Sequence, residues 1–200
     1  MARTGRRPGN QDTREAILAA ARKAFAERGY DGASIRQIAT EAKVDPALVH
    51  HYFGAKEQLF AEIMQIPVDP AKLVPQLVAG GAEGIGERIV RTFLSVWDSP
   101  AGTSLAALMR SALSHDWSAR MFREFLTSQV LRRVAKALDL DPAEAPLRTS
   151  LVASQMAGLG LTRYVIKIEP MASTPAEVLV AAVGPTVQRY LTEPLRPAGQ

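Results

Sequence analysis

Apolar residues recur along this chain at spacings of three and four, the period of a helix face, and no segment alternates with the two-residue period of a strand. The pattern predicts an all-α chain. Ile17, Leu18, Ala21, Ala24 and Phe25 line one face of a helix running from Asp12, with Glu15 completing a capping box, to a stop at Gly29. A short helix follows, with Ser34 as its cap, Gln37 reaching back to it, and Ile35, Ile38, Ala39 and Ala42 inward. Lys43 and Val44 form a turn, in which Val44 plugs the space between two helices. The next helix takes Asp45 as cap and Pro46 at its first position, where a missing N–H does no harm. Leu48 and Val49 are its expected anchors. Gly54 to Gln65 then carries Leu59, Phe60, Ile63 and Met64 on one face.

Past this point the texture changes. Ile66 to Gly86 mixes Pro67, Pro70 and Pro75 with Gly80, Gly81, Gly84 and Gly86, and reads as a linker holding a short helix over Ala71–Ala79. Helices are then predicted over Glu87–Trp97, Thr103–Ser114, Asp116–Leu140 and Ala143–Ile168. A last one starts at Thr174-Pro175 and runs to Leu191, with a kink at Pro185. The expected organisation is an arm over residues 1–11, a small helical head over 12–65 and a larger body over 66–200.

Two short capped helices joined by a tight turn, Ser34 to Phe53, are how a protein offers one helix to a DNA groove, although any helical bundle contains helix hairpins. Charge adds to the picture by its location. The net charge of +4 permits nucleic-acid binding without requiring it. Arg3, Arg6 and Arg7 lie among Gly5, Pro8 and Gly9 with no acidic residue before Asp12, as a basic arm for a minor groove or phosphates, or else as a solvated tail. Lys56 at a helix start opposes the macrodipole, which a phosphate there would explain.

Ile17 to Gly29 with Phe25, then Tyr30, Ser34 to Ala39, Val44 and the run Tyr52-Phe53-Gly54-x-Lys56-Glu57-x-Leu59 resemble the N-terminal domain of tetracycline-repressor (TetR) family regulators. The resemblance covers residues 12 to 65. It implies a three-helix helix-turn-helix domain on a larger helical domain for ligand binding and dimerisation. Carried over position by position, it places Arg36 at a base edge, Ser34, Tyr52 and Lys56 at phosphates, and Ala47, His50 and His51 on the recognition face. A structural alternative for Tyr52 is packing against Phe25. The chain departs from the family's usual recognition helix at Ala47, Leu48 and His50, which leaves the fold intact and makes the operator its own.

In the body, Phe93, Trp97, Met109, Arg110, Trp117, Met121, Phe122, Phe125, Met156, Arg163 and Tyr164 describe a pocket for a mostly apolar molecule, or equally a helical core. Arg110 and Arg163 would orient an anionic group in such a pocket, unless they pair with carboxylates such as Glu124 or Glu169. Gly158 and Gly160 sit mid-helix, where each costs about 1 kcal/mol relative to alanine. They make room for another backbone or for a ligand. The family resemblance favours a homodimer through the last two helices, with Leu151, Gly158, Leu161, Val165, Val178 and Ala182 at the interface and hence a palindromic operator. Its partners would be double-stranded DNA, a small-molecule effector and a second copy of the chain. Induction would pass through Gly54–Gln65 and the proline-rich linker.

Other functions find little support. No GxxxxGK[ST] or GxSxG occurs, and Gly84-Ile85-Gly86 lacks the third glycine and the strand of a dinucleotide site. His50 and His51 point about 100° apart on a helix and cannot share a metal. No catalytic residue, cofactor or metal is expected. An α-helical adaptor that grips protein with the helix pair is the other alternative. Without cysteine, a secretory leader or a long apolar run, a cytoplasmic protein that does not enter membranes is expected.

Overall fold

The computed structural model describes residues 10–195, all helices and turns, with no strand among them. Arg3, Arg6 and Arg7 lie outside the described residues. The head is built from α1 (Asn10–Gly32), α2 (Ile35–Glu41), α3 (Pro46–Phe53) and α4 (Lys56–Ile63). Helix α1 starts two residues before the expected cap, so Asp12 stands in its first turn, where a carboxylate favours the helix dipole. Gly29, at φ 72°, interrupts it where a stop was expected. The capping box of α2 forms in full: the Gln37 N–H donates to Ser34 Oγ (3.3 Å) and the Ser34 N–H to Gln37 Oε1 (3.0 Å). Asp45 accepts from the Ala47 N–H at 2.7 Å and caps α3. Lys43 turns the chain at φ 56°, and Val44 packs half-buried against the head's core.

That core stacks Phe25 on Tyr30, sets Phe60 edge-on to both, and centres on the fully buried Ile17, Ile38, Val49 and Leu59. Met121 and Phe125 of the body complete it, the Phe125 ring lying parallel to Phe60. The head therefore does not close on its own residues.

The body comprises α5 (Pro70–Val78), α6 (Ile85–Asp98), α7 (Ala101–Ser114), α8 (Asp116–Phe125), α9 (Arg132–Ala137), α10 (Ala145–Gly160) and α11 (Ala176–Thr192). Asp69, not Ala71, opens the helix within the linker, its side chain accepting from the Ala71 N–H at 2.9 Å. Two π-helical segments were not foreseen: Leu126–Leu131 joins α8 to α9, and Leu161–Ile166 continues α10. The long helix expected to reach Leu140 ends at Ala137, where Asp139 turns the chain at φ 50°. Helix α10 begins at Ala145, because Asp141 accepts from the main chain of Ala143 and Ala145 and makes a turn there. Helix α11 continues through Pro185.

The second core gathers Ile85, Val90 and Leu94 of α6, Val152 and Leu159 of α10, and Val180, Val187 and Leu191 of α11. Gly86 and Gly184 let α6 and α11 meet backbone to backbone: a Cβ on Gly86 would overlap the Gly184 carbonyl and the Gln188 main chain. Arg148, 8% exposed on α10, binds Glu144 and donates to the Tyr190 (2.8 Å) and Glu193 (2.7 Å) carbonyls that end α11.

Candidate nucleic-acid interface and apolar cavity

Helix α3, eight residues or about two turns, sets an exposed face on a buried footing. Val49 and Phe53 face the core, and Pro46 and Tyr52 are half-buried beside them. Ala47, Leu48, His50 and His51 are exposed. With about 100° between successive residues, Ala47, Leu48 and His51 share the face opposite Val49 and Phe53. Leu48, expected as an anchor, is 39% exposed, because one helical step from Val49 rotates it out of the core. His50 lies to one side, its Nδ1 2.9 Å from the Gly54 carbonyl, which can only accept. That bond places the proton on Nδ1 and leaves Nε2 of the neutral ring as an acceptor.

Arg36 projects from the exposed side of α2. Ser34 accepts a bond as cap and keeps its own O–H to donate. Tyr52 packs against the head's core and lies edge-on to His51, 5.4 Å between ring centres. Lys56 differs from expectation. Its ammonium donates to the Tyr30 (2.8 Å) and Ala33 (2.9 Å) carbonyls and lies 4.3 Å from the centre of the Tyr30 ring. The charge that opposes the α4 dipole thus caps the frayed end of α1, and two of its three donors are used within the protein.

The body holds a partly open cavity of about 230 Å³ between α5, α6, α7, α8, the first π segment and α10. Phe93, Trp97, Met109, Phe122, Phe125 and Met156, all expected at a pocket, line it. Ile66, Val68 and Pro70 of the connection after α4, and Leu126, Val130 and Leu131 of the π segment, complete walls that are apolar apart from Thr92 and Thr149. The other expected pocket residues lie elsewhere. Met121 is fully buried in the head's core and Trp117 packs against it. Arg110 is exposed. Arg163 donates to the Met171 and Thr174 carbonyls, both at 2.7 Å, and so braces the turn before α11. Tyr164 stacks on Trp97 behind the wall and donates to Asp98 at 2.8 Å. Burial, and then the Asp98 carboxylate, push its phenol up to about 12.

Head and body also meet at the two flanks of the same π segment. Glu124, on α8, accepts a hydrogen bond from the Tyr30 N–H, just past the break at Gly29, and Arg132, on α9, pairs with Asp31 at 3.3 Å. Neither contact has a signal in the sequence, since each depends on how α8 and α9 lie against α1. Of the residues expected at a dimer interface, Leu151, Leu161 and Val165 are half-buried, while Gly158, Val178 and Ala182 are exposed. A Cβ on Gly158 would meet nothing within 4 Å, whereas one on Gly160 would press on Phe93 and Trp97, each at 3.1 Å. Of the two glycines, Gly160 makes room for aromatic side chains and Gly158 opens outward.

A helix-turn-helix pair with its second helix exposed, carried on a helical body with an apolar cavity, defines a DNA-binding transcriptional regulator. Residues 17–63 match the family model "Bacterial regulatory proteins, tetR family", and residues 83–191, more than half of the chain, match "Tetracyclin repressor-like, C-terminal domain". The chain belongs to the TetR family. It is 42% identical over 64 residues to the HTH-type transcriptional repressor NicS of Pseudomonas putida, a match covering 32% of this chain and 30% of that protein. It is 34% identical over 88 residues to the HTH-type transcriptional regulator HbdR of an Aromatoleum species, covering 44% and 37%. These matches thus span about a third of their curated relatives' length. A solved TetR-family regulator from Streptomyces coelicolor A3 is 41% identical with 94% of this chain and 99% of that one covered, at a TM-score of 0.48.

Proposed function

We propose that this regulator is a ligand-responsive repressor that binds a palindromic operator as a homodimer. The observation that carries this reading is the position of the first π segment: it lines the apolar cavity, and the residues that flank it, Glu124 on α8 and Arg132 on α9, hold the end of α1. A molecule that fills the cavity displaces the wall that holds the head. In a dimer, that changes the separation of the two α3 helices. Ile66 and Val68 carry the same displacement into α4 through the connecting segment.

The effector of this reading is uncharged and apolar, since no charged side chain lines the cavity. Its size suits a small aromatic or a short-chain compound: a cavity of about 150 Å³ lined by similar residues accepts benzene. Only differential affinity for the two states shifts the equilibrium, and about 1–3 kcal/mol gives roughly 5- to 150-fold derepression. In the groove, Ala47, His51 and His50 face base edges, Arg36 reaches in from α2, and Ser34, Tyr52 and Arg3, Arg6 and Arg7 serve phosphates. A half-buried Leu151, Leu161 and Val165 beside the exposed Val178 and Ala182 suit a four-helix interface around Gly158.

Selection of fragments from random duplex DNA, with binding measured against salt, tests the reading. A palindrome with steep salt dependence is expected, released by small apolar compounds that leave a cavity-filled Ala153→Phe variant on its DNA. No enriched sequence, or a flat salt response, overturns DNA recognition. An enriched site that lacks two-fold symmetry overturns the homodimer.

A further inference from the structure

Leu48 is the one large apolar side chain of the described head that is left on the surface, 39% exposed while its neighbour Val49 is fully buried. It shares its face of α3 with Ala47 and His51. From Pro46 to Phe53 the helix carries no Arg, Lys, Asn, Gln, Asp or Glu. The bidentate bonds by which Arg reads guanine, or Asn and Gln read adenine, therefore cannot come from this helix. Beside the half-buried phenol of Tyr52, what remains on the exposed face is imidazole and hydrocarbon. On the major-groove edge of the four bases, the apolar group that hydrocarbon can meet is the C5 methyl of thymine.

We propose that Leu48 is a specificity-determining residue that reads the 5-methyl group of a thymine in each operator half-site, with Ala47 beside it. The inference rests on α3 being the groove helix. The exposed part of Leu48 has no partner within the head and is free to be covered by DNA. A cytosine or guanine at that position sets a polar edge against the isobutyl group and leaves its hydrogen-bonding atoms without water or partner. Selection against those bases follows from the same contact. Burying one methyl group is worth roughly 0.8 kcal/mol, about fourfold in affinity per half-site.

The test uses the full-length protein and a site enriched from random duplexes. Each thymine is replaced in turn by deoxyuridine, which keeps the hydrogen-bonding edge and lacks only the methyl. At one or two thymines per half-site, the native protein should lose about fourfold on replacement. Leu48→Ala should bind both forms of that position alike, with its helical circular dichroism unchanged, and Leu48→Met should restore the discrimination. A native protein indifferent to deoxyuridine throughout the site overturns the proposal without recourse to any variant. So does a penalty that persists undiminished in Leu48→Ala. An absence of any enriched duplex instead removes the groove reading itself, and this inference with it.

Discussion

Replacing Lys56 by methionine removes two charge-assisted hydrogen bonds and strands the Tyr30 and Ala33 carbonyls at the end of α1. The expected loss is about 1.5–3 kcal/mol of head stability, read by urea unfolding. The salt slope of DNA binding should then stay as it is, because two of the ammonium's three donors are held inside the protein. A slope shallower by about one would show that it also meets a phosphate. Tyr164 offers a pH readout. Its phenol is held at about 12 by burial and by Asp98, above the ordinary 10.0 of the unfolded chain. The raised value means that its contribution is full below pH 10 and is lost as the pH rises towards 12. Tyr30, its hydroxyl buried without a hydrogen-bond partner, is likewise raised, by burial first and then by the charge of Glu57. Alkaline titration of tyrosinate absorbance should show a late phase that shrinks in Tyr164→Phe. At this scale the sequence was legible wherever chemistry is local. Ser34 with Gln37, and Asp45 with Pro46, cap helices through contacts two or three residues away. The exposure of Leu48 and the internal partners of Lys56 had no local signal, because the first is set by rotation about α3 and the second by chain 23 and 26 residues distant.

Helices were legible to within a few residues, since glycine, proline and the capping groups punctuate them. The π segments were not: their longer turn is imposed by packing, and an apolar run such as Leu126 to Leu131 fits either period. The pair α6 and α11 shows how much one position can matter between elements. Gly86→Ala should destabilise the body by about 1–3 kcal/mol or more, because what its methyl meets is main chain that has no rotamer to yield. Chemical denaturation monitored by tryptophan fluorescence checks this, as Trp97 lies on α6. The ion pair between Arg91 and Glu177 on the same helices is exposed and contributes little by comparison.

For the molecule as a whole, the aromatic and methionine content of the body pointed to an apolar space, and the cavity holds six of those residues. The two arginines did not follow, since a charge without a partner is not left facing hydrocarbon: Arg163 took carbonyls and Arg110 took water. Gly158→Ala separates the monomer from the proposed dimer. Within one chain the added methyl meets nothing, so removing a mid-helix glycine should stabilise the fold by about 1 kcal/mol. Between two chains packed closely at that point it should weaken association, and sedimentation over a range of concentrations reads the difference. A more stable chain with unchanged self-association would place the interface elsewhere.

The hold of Glu124 on the head has a consequence for how such proteins can be recombined. Its partner is the amide of residue 30, not the tyrosine side chain, so every residue type except proline offers the same donor. The body's other holds, Arg132 on Asp31 and Phe125 on Phe60, likewise fall on α1 and α4 and not on the two helices that would read DNA. Grafting α2 and α3 of a relative onto this chain should therefore transfer the relative's operator while keeping this chain's effector response, because the handle between the two halves lies outside the grafted helices.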